Sequence, residues 1–295
     1  MSRQLQADLA LALVTFIWGS TFVVVKNELA SIGPMAFVAV RFAFAFIVMA
    51  VLARRSLARM DRHSVKAGAL IGVFLFGGYG FQTVGLAHTT ASNAAFITGL
   101  CVVLAPLFSR LWLGQAPSHQ ALLGVALATA GLGFLSLNES LIPSYGDLLV
   151  LACAASFALH IVAIGRYAPR MDPLGLTTVQ IGVVALAGTG AAALTEPFPP
   201  AMGMGTLGVA LVMGVVATAF AFTVQNRVQV FTTPTHTALV LSLEPVFGAL
   251  SAHLLAGERL GERQLLGCAL ILAGMLVAEL RSAKPCPSVP IAARR

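Results

Sequence analysis

The sequence predicts an all-α integral membrane protein with ten transmembrane helices, arranged as two inverted five-helix repeats. Of its 295 residues, 58% are hydrophobic and 10% are charged, whereas soluble globular proteins carry roughly 25% charged residues. Apolar runs of roughly twenty residues, the length of a membrane-spanning helix, recur along the chain. The runs are uniformly apolar rather than alternating, and backbone groups in hydrocarbon need partners within the protein, so helices are predicted.

Ten such spans are predicted. They are Asp8–Val25, Pro34–Ala53, Ala67–Ala87, Ala91–Leu113, His119–Leu137, Asp147–Ile164, Leu174–Leu194, Thr206–Val224, Pro234–Ala256 and Glu262–Leu280. Residues 1–142 contain the first five and residues 143–282 contain the second five. Residues 283–295 form a basic tail that is predicted to lie at the cytoplasmic surface.

The second half of the chain repeats the first. Residues 232–274 align without gaps with residues 89–131 at an offset of 143, and fifteen of these 43 positions are identical. The first helices of the two halves match at an offset of 139, as Asp8 with Asp147 and Pro34 with Pro173 show. Each half has five spans, an odd number, so the two copies enter the membrane from opposite faces. In membrane proteins built this way, a binding site near the midplane between the halves is expected.

The basic residues predict the orientation. With the N-terminus in the cytoplasm, 14 of the 18 Lys and Arg residues lie in cytoplasmic segments, three lie outside, and Arg41 lies within the membrane. This distribution follows the positive-inside rule and places both termini in the cytoplasm. The net charge of +7 therefore reflects membrane topology, and nucleic acid is not an expected partner.

Charged groups within the spans are candidates for function, because a charge at a helix centre costs roughly 2.5–3.5 kcal/mol on insertion scales. Glu244 is the one acid predicted mid-span, roughly 15 Å along its helix. It either holds that helix to a neighbour, or serves as a proton carrier or a counter-charge for a substrate amine. Arg41 lies roughly 10 Å below the outer end of helix 2. It either has a structural role, with a snorkelling guanidinium, or binds a substrate carboxylate.

Uncharged residues complete the candidate cavity. Trp18 lies near the middle of helix 1, where the interfacial aromatic belt does not explain it, so it either packs between helices or lines a cavity. His160 lies deep in helix 6 and is either simply hydrogen-bonded or part of a proton relay. The full candidate set comprises Trp18, Thr21, Arg41, Tyr79, Gln82, His160, Gln180, Gln225 and Glu244.

Other positions are interpreted structurally. Pro106 and Pro245 each remove a backbone hydrogen bond and are predicted to kink helices 4 and 9 at different heights. Asp8 and Asp147 are placed at helix N-termini, where a carboxylate is favoured. The sequence has no phosphate-binding G-x-x-x-x-G-K-[ST] loop and no paired histidines, Cys-x-x-Cys or nucleophile elbow. No metal, cofactor or enzymatic activity is therefore expected, and the expected partners are a small-molecule substrate and the lipid bilayer. A monomer is compatible with this architecture.

Several motifs carry a family resemblance. They are Trp18-Gly19-Ser20-Thr21-Phe22 followed by Lys26, Val40-Arg41-Phe42, Leu243-Glu244-Pro245-Val246, and the Gly257-Glu258 step before Leu265-Leu266-Gly267. In this order and together with the duplication, they resemble the drug/metabolite transporter superfamily, in its EamA-type branch of ten-helix proteins. The resemblance covers about residues 5–282.

The resemblance implies an exporter of small metabolites, with amino-acid exporters prominent in the family, in the inner (plasma) membrane of a bacterial-type cell. It also implies a central cavity lined by helices 1–4 and 6–9, with helices 5 and 10 at the periphery. We therefore expect a secondary transporter that exports amino acids, aromatic or hydrophobic ones among them, by alternating access. Drug or nucleoside efflux and metabolite uptake are the alternatives. An integral-membrane enzyme or sensor is a more distant one, because the chain has no clustered reactive residues and no long soluble segment.

Overall fold

The computed structural model describes residues 3–89, 94, 97–136, 144–197, 202–248, 250 and 261–279, and every regular element within these ranges is helical. The first half contains α1 (Arg3–Glu28), α2 (Pro34–Leu52), α3 (Arg54–Leu57), α4 (Arg62–His88), α5 (Cys101–Leu113) and α6 (His119–Ser136). The second half contains α7 (Tyr145–Tyr167), α8 (Pro173–Thr195), α9 (Met204–Val212), a π-helical segment (Met213–Phe220), α10 (Ala221–Val228), α11 (Pro234–Leu241) and α12 (Glu262–Glu279).

The described residues contain six helices that are long and apolar enough to cross a membrane. These are α1, α2, α4, the run Tyr145–Arg170, α8 and the run Met204–Phe231; Ile97–Leu113, His119–Phe134 and Leu265–Val277 are shorter apolar helices. The chain is therefore an all-α, multi-pass membrane protein, as predicted. The number of ten spans stays a prediction, because parts of the predicted helices 4 and 9 and the whole basic tail lie outside the described residues.

Helices from the two halves pack against each other. α6 packs along α12, α2 along α8, α4 along α7, and α1 against α10 and α11. α6 and α12 approach closely at glycines. A Cβ atom, which glycine lacks, would at Gly131 lie only 2.6 Å from the carbonyl oxygen of Gly267, closer than side chains allow. A carbon added at Gly274 would likewise lie 2.6 Å from the carbonyl oxygen of Gly124. These glycines correspond pairwise at the repeat offset of 143, so each helix approaches the other through equivalent positions.

The largest buried core cluster joins α2, α4, α8 and α10. Its large, fully buried side chains are Phe37, Phe42, Leu75, Ile181 and Phe222. Because protein interiors are close-packed, these side chains fix the relative positions of helices from both halves. Two of them, Phe37 and Phe222, also line the cavity described below.

The N-termini of α2 and α8 are capped in different ways. Asp172 caps α8 locally, because its carboxylate accepts a hydrogen bond of 2.9 Å from the backbone of the first turn. α2 follows Gly33, which has no side chain to cap it. Instead, the carboxylate of Glu196, just beyond α8, accepts hydrogen bonds of 2.8 Å from the backbone N–H groups of Met35 and Ala36. The end of α8 is thereby tied to the start of α2.

Replacing Glu196 with alanine is expected to destabilise the protein by about 1 kcal/mol, because two N–H groups at the start of α2 lose their acceptor. The measurement is the thermal unfolding midpoint in detergent, with Glu28→Ala at the end of α1 as the charge-matched control. We expect a lower midpoint for Glu196→Ala alone. Equal midpoints for the two variants would show that the hydrogen bonds from α2 to Glu196 do not contribute to stability.

Candidate functional site

A central cavity lies between helices of the two halves, and it gathers most of the candidate residues. Its lining includes Trp18, Thr21, Arg41, Tyr79, Gln82, His160, Gln225 and Glu244. The volume open to the centres of water molecules is about 80 Å³. A cavity needs roughly 10–15 Å³ by this measure to hold one water, so this cavity has room for several waters, and a ligand larger than that requires it to widen.

The remaining candidate, Gln180, lies behind the cavity wall. It is fully buried, and its side-chain oxygen lies 2.9 Å from Nε2 of His160. The lining residues come from α1, α2, α4, α5, α7, α10, α11 and the segments around Thr98 and Glu244, and none comes from the described parts of α6, α8 or α12. The resemblance implied that helix 7, which is α8, also lines the cavity. In this structure α8 instead supports the cavity indirectly, through the bond between Gln180 and His160.

Arg41 is only 4% exposed and reaches across to the second half of the chain. Its Nε donates a hydrogen bond of 2.8 Å to the hydroxyl of Thr218. Its Nη2 donates to the carbonyl oxygen of Ala217 at 3.3 Å and to the hydroxyl of Tyr79 at 3.4 Å. The guanidinium carbon also lies 5.0 Å from the centre of the Tyr79 ring. The side chain therefore does not snorkel towards the membrane surface, and its charge is held beside the cavity.

Glu244 lies at a break in the predicted helix 9. α11 ends at Leu241, residues 242–243 form a turn, and helical conformation resumes at Glu244. The next residue is Pro245, which has no N–H to continue the hydrogen-bond pattern across the turn. Pro106, in contrast, lies inside the continuous helix α5. The break places the Glu244 side chain at the cavity wall.

The charges of Glu244 and Arg41 line one cavity without neutralising each other directly. Within the described part of the chain, no ion pair within 4.0 Å joins them, and the Glu244 carboxylate has no hydrogen-bonding partner. Gly19 lets α1 approach this turn closely, because an added carbon there would lie 2.5 Å from the carbonyl oxygen of Glu244. A buried charge is costly without partners, so the Glu244 carboxylate favours a proton or a cationic ligand. The Arg41 charge is held by hydrogen bonds to neutral groups and has no anionic partner among the described residues, so it favours an anionic ligand.

Aromatic rings from both halves form the apolar part of the wall. Trp18 donates from Nε1 to the carbonyl oxygen of Ala217 at 2.8 Å, and its ring centre lies 5.1 Å from that of Phe222. The Tyr79 ring contacts Phe157 edge to face, with centres 5.5 Å apart. At the repeat offsets, Trp18 corresponds to Phe157 and Tyr79 to Phe222. Each half thus contributes rings at matching positions.

The polar uncharged candidates are hydrogen-bonded in this structure. Gln82 donates from Nε2 to the hydroxyl of Thr98 at 3.3 Å, and Gln225 donates to Oε1 of Gln229 at 3.3 Å. The Thr21 hydroxyl donates to the carbonyl oxygen of Trp18 in its own helix at 2.7 Å. His160 is 2% exposed and bonded to Gln180, as described above. A proton-relay role for His160 stays a prediction.

Sequence reasoning missed two groups that hold Arg41 and one buried contact outside the cavity lining. Thr218 and the carbonyl of Ala217 hold Arg41, but a threonine and a backbone oxygen inside an apolar run give no signal in the sequence. Asp8 forms the third missed contact, because its Oδ1 lies 3.0 Å from Nε2 of His236. Its placement at a helix N-terminus was wrong, since α1 begins at Arg3 and Asp8 is a buried residue within it.

The repeat-related Asp147 does lie in the first turn of its helix. It forms a capping box with Ser144 at the start of α7. Its carboxylate also accepts a hydrogen bond of 2.6 Å from the hydroxyl of Thr89. The described residues contain no group of three or more His, Cys, Asp or Glu side chains arranged to hold a metal ion.

Comparison with known proteins identifies the family. The model of the EamA-like transporter family matches residues 5–137 and 144–279. The chain belongs to this family. The predicted resemblance to the drug/metabolite transporter superfamily is thereby confirmed, and this EamA-like protein is a transporter by family.

Individual relatives agree with this assignment. A protein of Archaeoglobus fulgidus named an uncharacterized transporter is 38% identical over 280 residues, which cover 95% of this chain and 87% of the relative. YvbV of Bacillus subtilis, also named an uncharacterized transporter, is 29% identical over 184 residues, or 59% of each chain. One crystal structure matches with a TM-score of 0.79 at 22% identity and covers 95% of this chain and 99% of the other, which shows a shared fold.

Proposed function

We propose that this EamA-like transporter is an inner-membrane secondary transporter that exports amino acids, aromatic ones included, by alternating access around the central cavity. The observation that carries the proposal is the pair of opposite charges in that cavity. Arg41 of the first half and Glu244 of the second both line it, and they do not pair with each other. An amino acid has a carboxylate and an ammonium group that match these two charges.

The chemistry of the wall supports this choice of substrate. A guanidinium group forms strong, charge-assisted hydrogen bonds with a carboxylate, so Arg41 binds that end of the substrate. Glu244 binds the ammonium group, or takes a proton when the substrate leaves. The rings of Trp18, Tyr79 and Phe222 provide an apolar surface for an aromatic or hydrophobic side chain.

The packing of the two halves supports an inverted ten-helix repeat, with halves at residues 1–142 and 143–282. Each main helix contact has a repeat-related equivalent. α6 packs on its repeat counterpart α12, and α2 packs on its counterpart α8. The contact between α4 and α7 corresponds to the contact between α10 and α1. The glycine contacts between α6 and α12 are equivalent from both sides, as a twofold axis between them requires. With the basic residues inside, both termini lie in the cytoplasm and the cavity lies near the midplane.

The test is flux of radiolabelled amino acids in proteoliposomes that contain only this protein, with and without an imposed pH gradient. We expect saturable flux for a subset of amino acids, with protein-free liposomes as the control. Flux of nucleosides or cationic drugs in the same vesicles, with none for any amino acid, would replace the substrate assignment. No saturable flux of any of these solutes would contradict secondary transport.

A further inference from the structure

Two repeat-related helices differ in length by one residue. α4 runs from Arg62 to His88 and has 27 residues, whereas the corresponding run Met204–Phe231 has 28. The residues that precede the two helices, Asp61 and Gly203, are both extended, at φ −81°, ψ 170° and φ −71°, ψ 159°. The N-cap residues Asp61 and Gly203 therefore correspond to each other, at an offset of 142.

The opposite ends also match, at an offset that is larger by one. Thr89 follows α4 at φ −139°, ψ 176°, and Thr232 follows the second run at φ −140°, ψ 169°. The offset between these two threonines is 143. The second run thus contains one extra residue between equivalent ends.

Close helix contacts locate the extra residue. An added carbon at Gly72 would lie 2.9 Å from the Cα of Gln180, and one at Gly214 would lie 2.6 Å from the carbonyl oxygen of Arg41. Gln180 and Arg41 are repeat partners, so Gly72 and Gly214 correspond, still at the offset of 142. Phe222 already corresponds to Tyr79 at 143. The extra residue therefore lies between Gly214 and Phe222, within the π-helical segment Met213–Phe220.

A π-helical turn accommodates one added residue in a helix and changes which backbone groups are bonded, and such turns are frequent at functional sites. Here the hydroxyl of Thr218 donates to the carbonyl oxygen of Met213, five residues earlier, at 3.0 Å. The same hydroxyl oxygen accepts the hydrogen bond from Arg41 Nε, and the adjacent carbonyl of Ala217 accepts from both Trp18 and Arg41. The π turn is thus the structure that holds Arg41.

The repeat-related contact, between α8 and α4, shows the contrast. Gln180, the partner of Arg41, faces α4, which has no π segment. It bonds instead to His160 and, more weakly, to the carbonyl of Leu176 in its own helix at 3.4 Å. The inserted residue, in the second half, and the arginine, in the first half, therefore meet at one of two repeat-related contacts, and the other contact, between α8 and α4, has neither.

We propose that Thr218 and the Ala217 carbonyl position the Arg41 guanidinium so that it presents a carboxylate-binding edge to the cavity. Nε and Nη2 are held by the π turn, and Nη1, which forms no hydrogen bond with the described residues, binds the carboxylate of the ligand. Arg41 contacts the ligand, whereas Thr218 acts through Arg41. This inference rests on the proposed function, because it assigns the carboxylate end of the same substrate.

The test uses ligand binding to full-length protein with Trp112→Phe as the background. The chain has two tryptophans, and Trp112 packs against Phe74 and Tyr167 away from the cavity, so Trp18 becomes the single fluorophore beside the site. The probes are L-phenylalanine and phenethylamine, which lacks the carboxylate. Thr218→Val removes the hydroxyl at nearly constant size, Thr218→Ser retains it, and Arg41→Gln removes the charge.

We expect Thr218→Val to raise the Kd for L-phenylalanine about tenfold, as the loss of one charge-assisted hydrogen bond predicts. Arg41→Gln raises it at least as much, Thr218→Ser keeps the wild-type Kd, and the Kd for phenethylamine is unchanged in all three variants. The unchanged phenethylamine affinity also shows that each variant is folded.

Several results would overturn the positioning role. One is a wild-type Kd for L-phenylalanine in Thr218→Val. Another is an equal increase in the Kd for L-phenylalanine and for phenethylamine in that variant. A third is the absence of saturable fluorescence quenching of the parent protein by L-phenylalanine. Flux assays separate this inference from the proposed function. Amino-acid flux without the expected Kd pattern removes the inference alone, whereas the Kd pattern without flux removes transport and leaves Arg41 as a carboxylate site.

Discussion

Replacing Glu244 with glutamine is expected to raise the KM for amino-acid flux by about two orders of magnitude and to abolish any stimulation by a pH gradient. The carboxylate lines the cavity and has no partner among the described residues, so a substrate ammonium group or a proton provides its partner. Loss of one member of a buried charge pair costs about 2–5 kcal/mol, and each 1.4 kcal/mol is a factor of about ten in affinity. The measurement is initial flux in proteoliposomes at a series of substrate concentrations.

The matched control is Glu28→Gln at the end of α1, away from the cavity lining. It removes the same charge and is expected to leave KM and the response to pH unchanged. If Glu244→Gln retains wild-type KM and pH response, the carboxylate is structural, and it holds its helix in place rather than binding substrate.

Replacing Arg41 with glutamine, the residue found at the repeat-related position, is expected to raise the KM for amino acids by a similar factor. The structural reason is that the guanidinium is the cationic group of the cavity wall. The effect is selective, because competition by phenethylamine, which has no carboxylate, stays at the wild-type level. Arg41→Lys is expected to recover only part of the affinity, because a point charge does not reproduce the planar fork of hydrogen-bond donors.

The control for Arg41 is Arg170→Gln, which removes an exposed arginine at the end of the α7 run. Arg41 also links the two halves through Thr218, so the unfolding midpoint of each variant is measured alongside flux. An equal loss of amino acid and phenethylamine binding in Arg41→Gln would show that the arginine supports the shape of the cavity rather than recognising a carboxylate.

Much of the architecture was predictable because membrane insertion leaves strong signals in sequence. The apolar runs indicated helices, and the described boundaries of α2 and α8 lie within two residues of the predicted spans. α1 and α4 extend beyond their predicted spans into polar residues, because helix continues past the apolar run on which the prediction relied. The break before Glu244 in helix 9 was expected only as a kink at Pro245, since a sequence shows the missing N–H but not the geometry adopted around it.

The composition of the site was predictable, but its bonding was not. Polar residues in an apolar context are conspicuous, and that rule found the eight candidate residues that line the cavity, with Gln180 directly behind. The rule does not reveal partners, so the sequence left Arg41 either with a structural, snorkelling role or as a carboxylate-binding group, and its bond to Thr218 was not predicted. The inserted residue in the second repeat was hidden as well, because a gapless alignment of residues 89–131 with 232–274 begins after the π-helical segment.

Amino acids are proposed to cross the membrane through the cavity between Arg41 and Glu244. The most direct test is initial flux of labelled L-phenylalanine in proteoliposomes with wild-type protein or the Arg41→Gln/Glu244→Gln double variant, at matched reconstitution and with verified folding. We expect saturable flux for the wild type, and flux equal to that of protein-free liposomes for the double variant at the same substrate concentrations. A double variant that transports L-phenylalanine with wild-type kinetics would contradict this proposal.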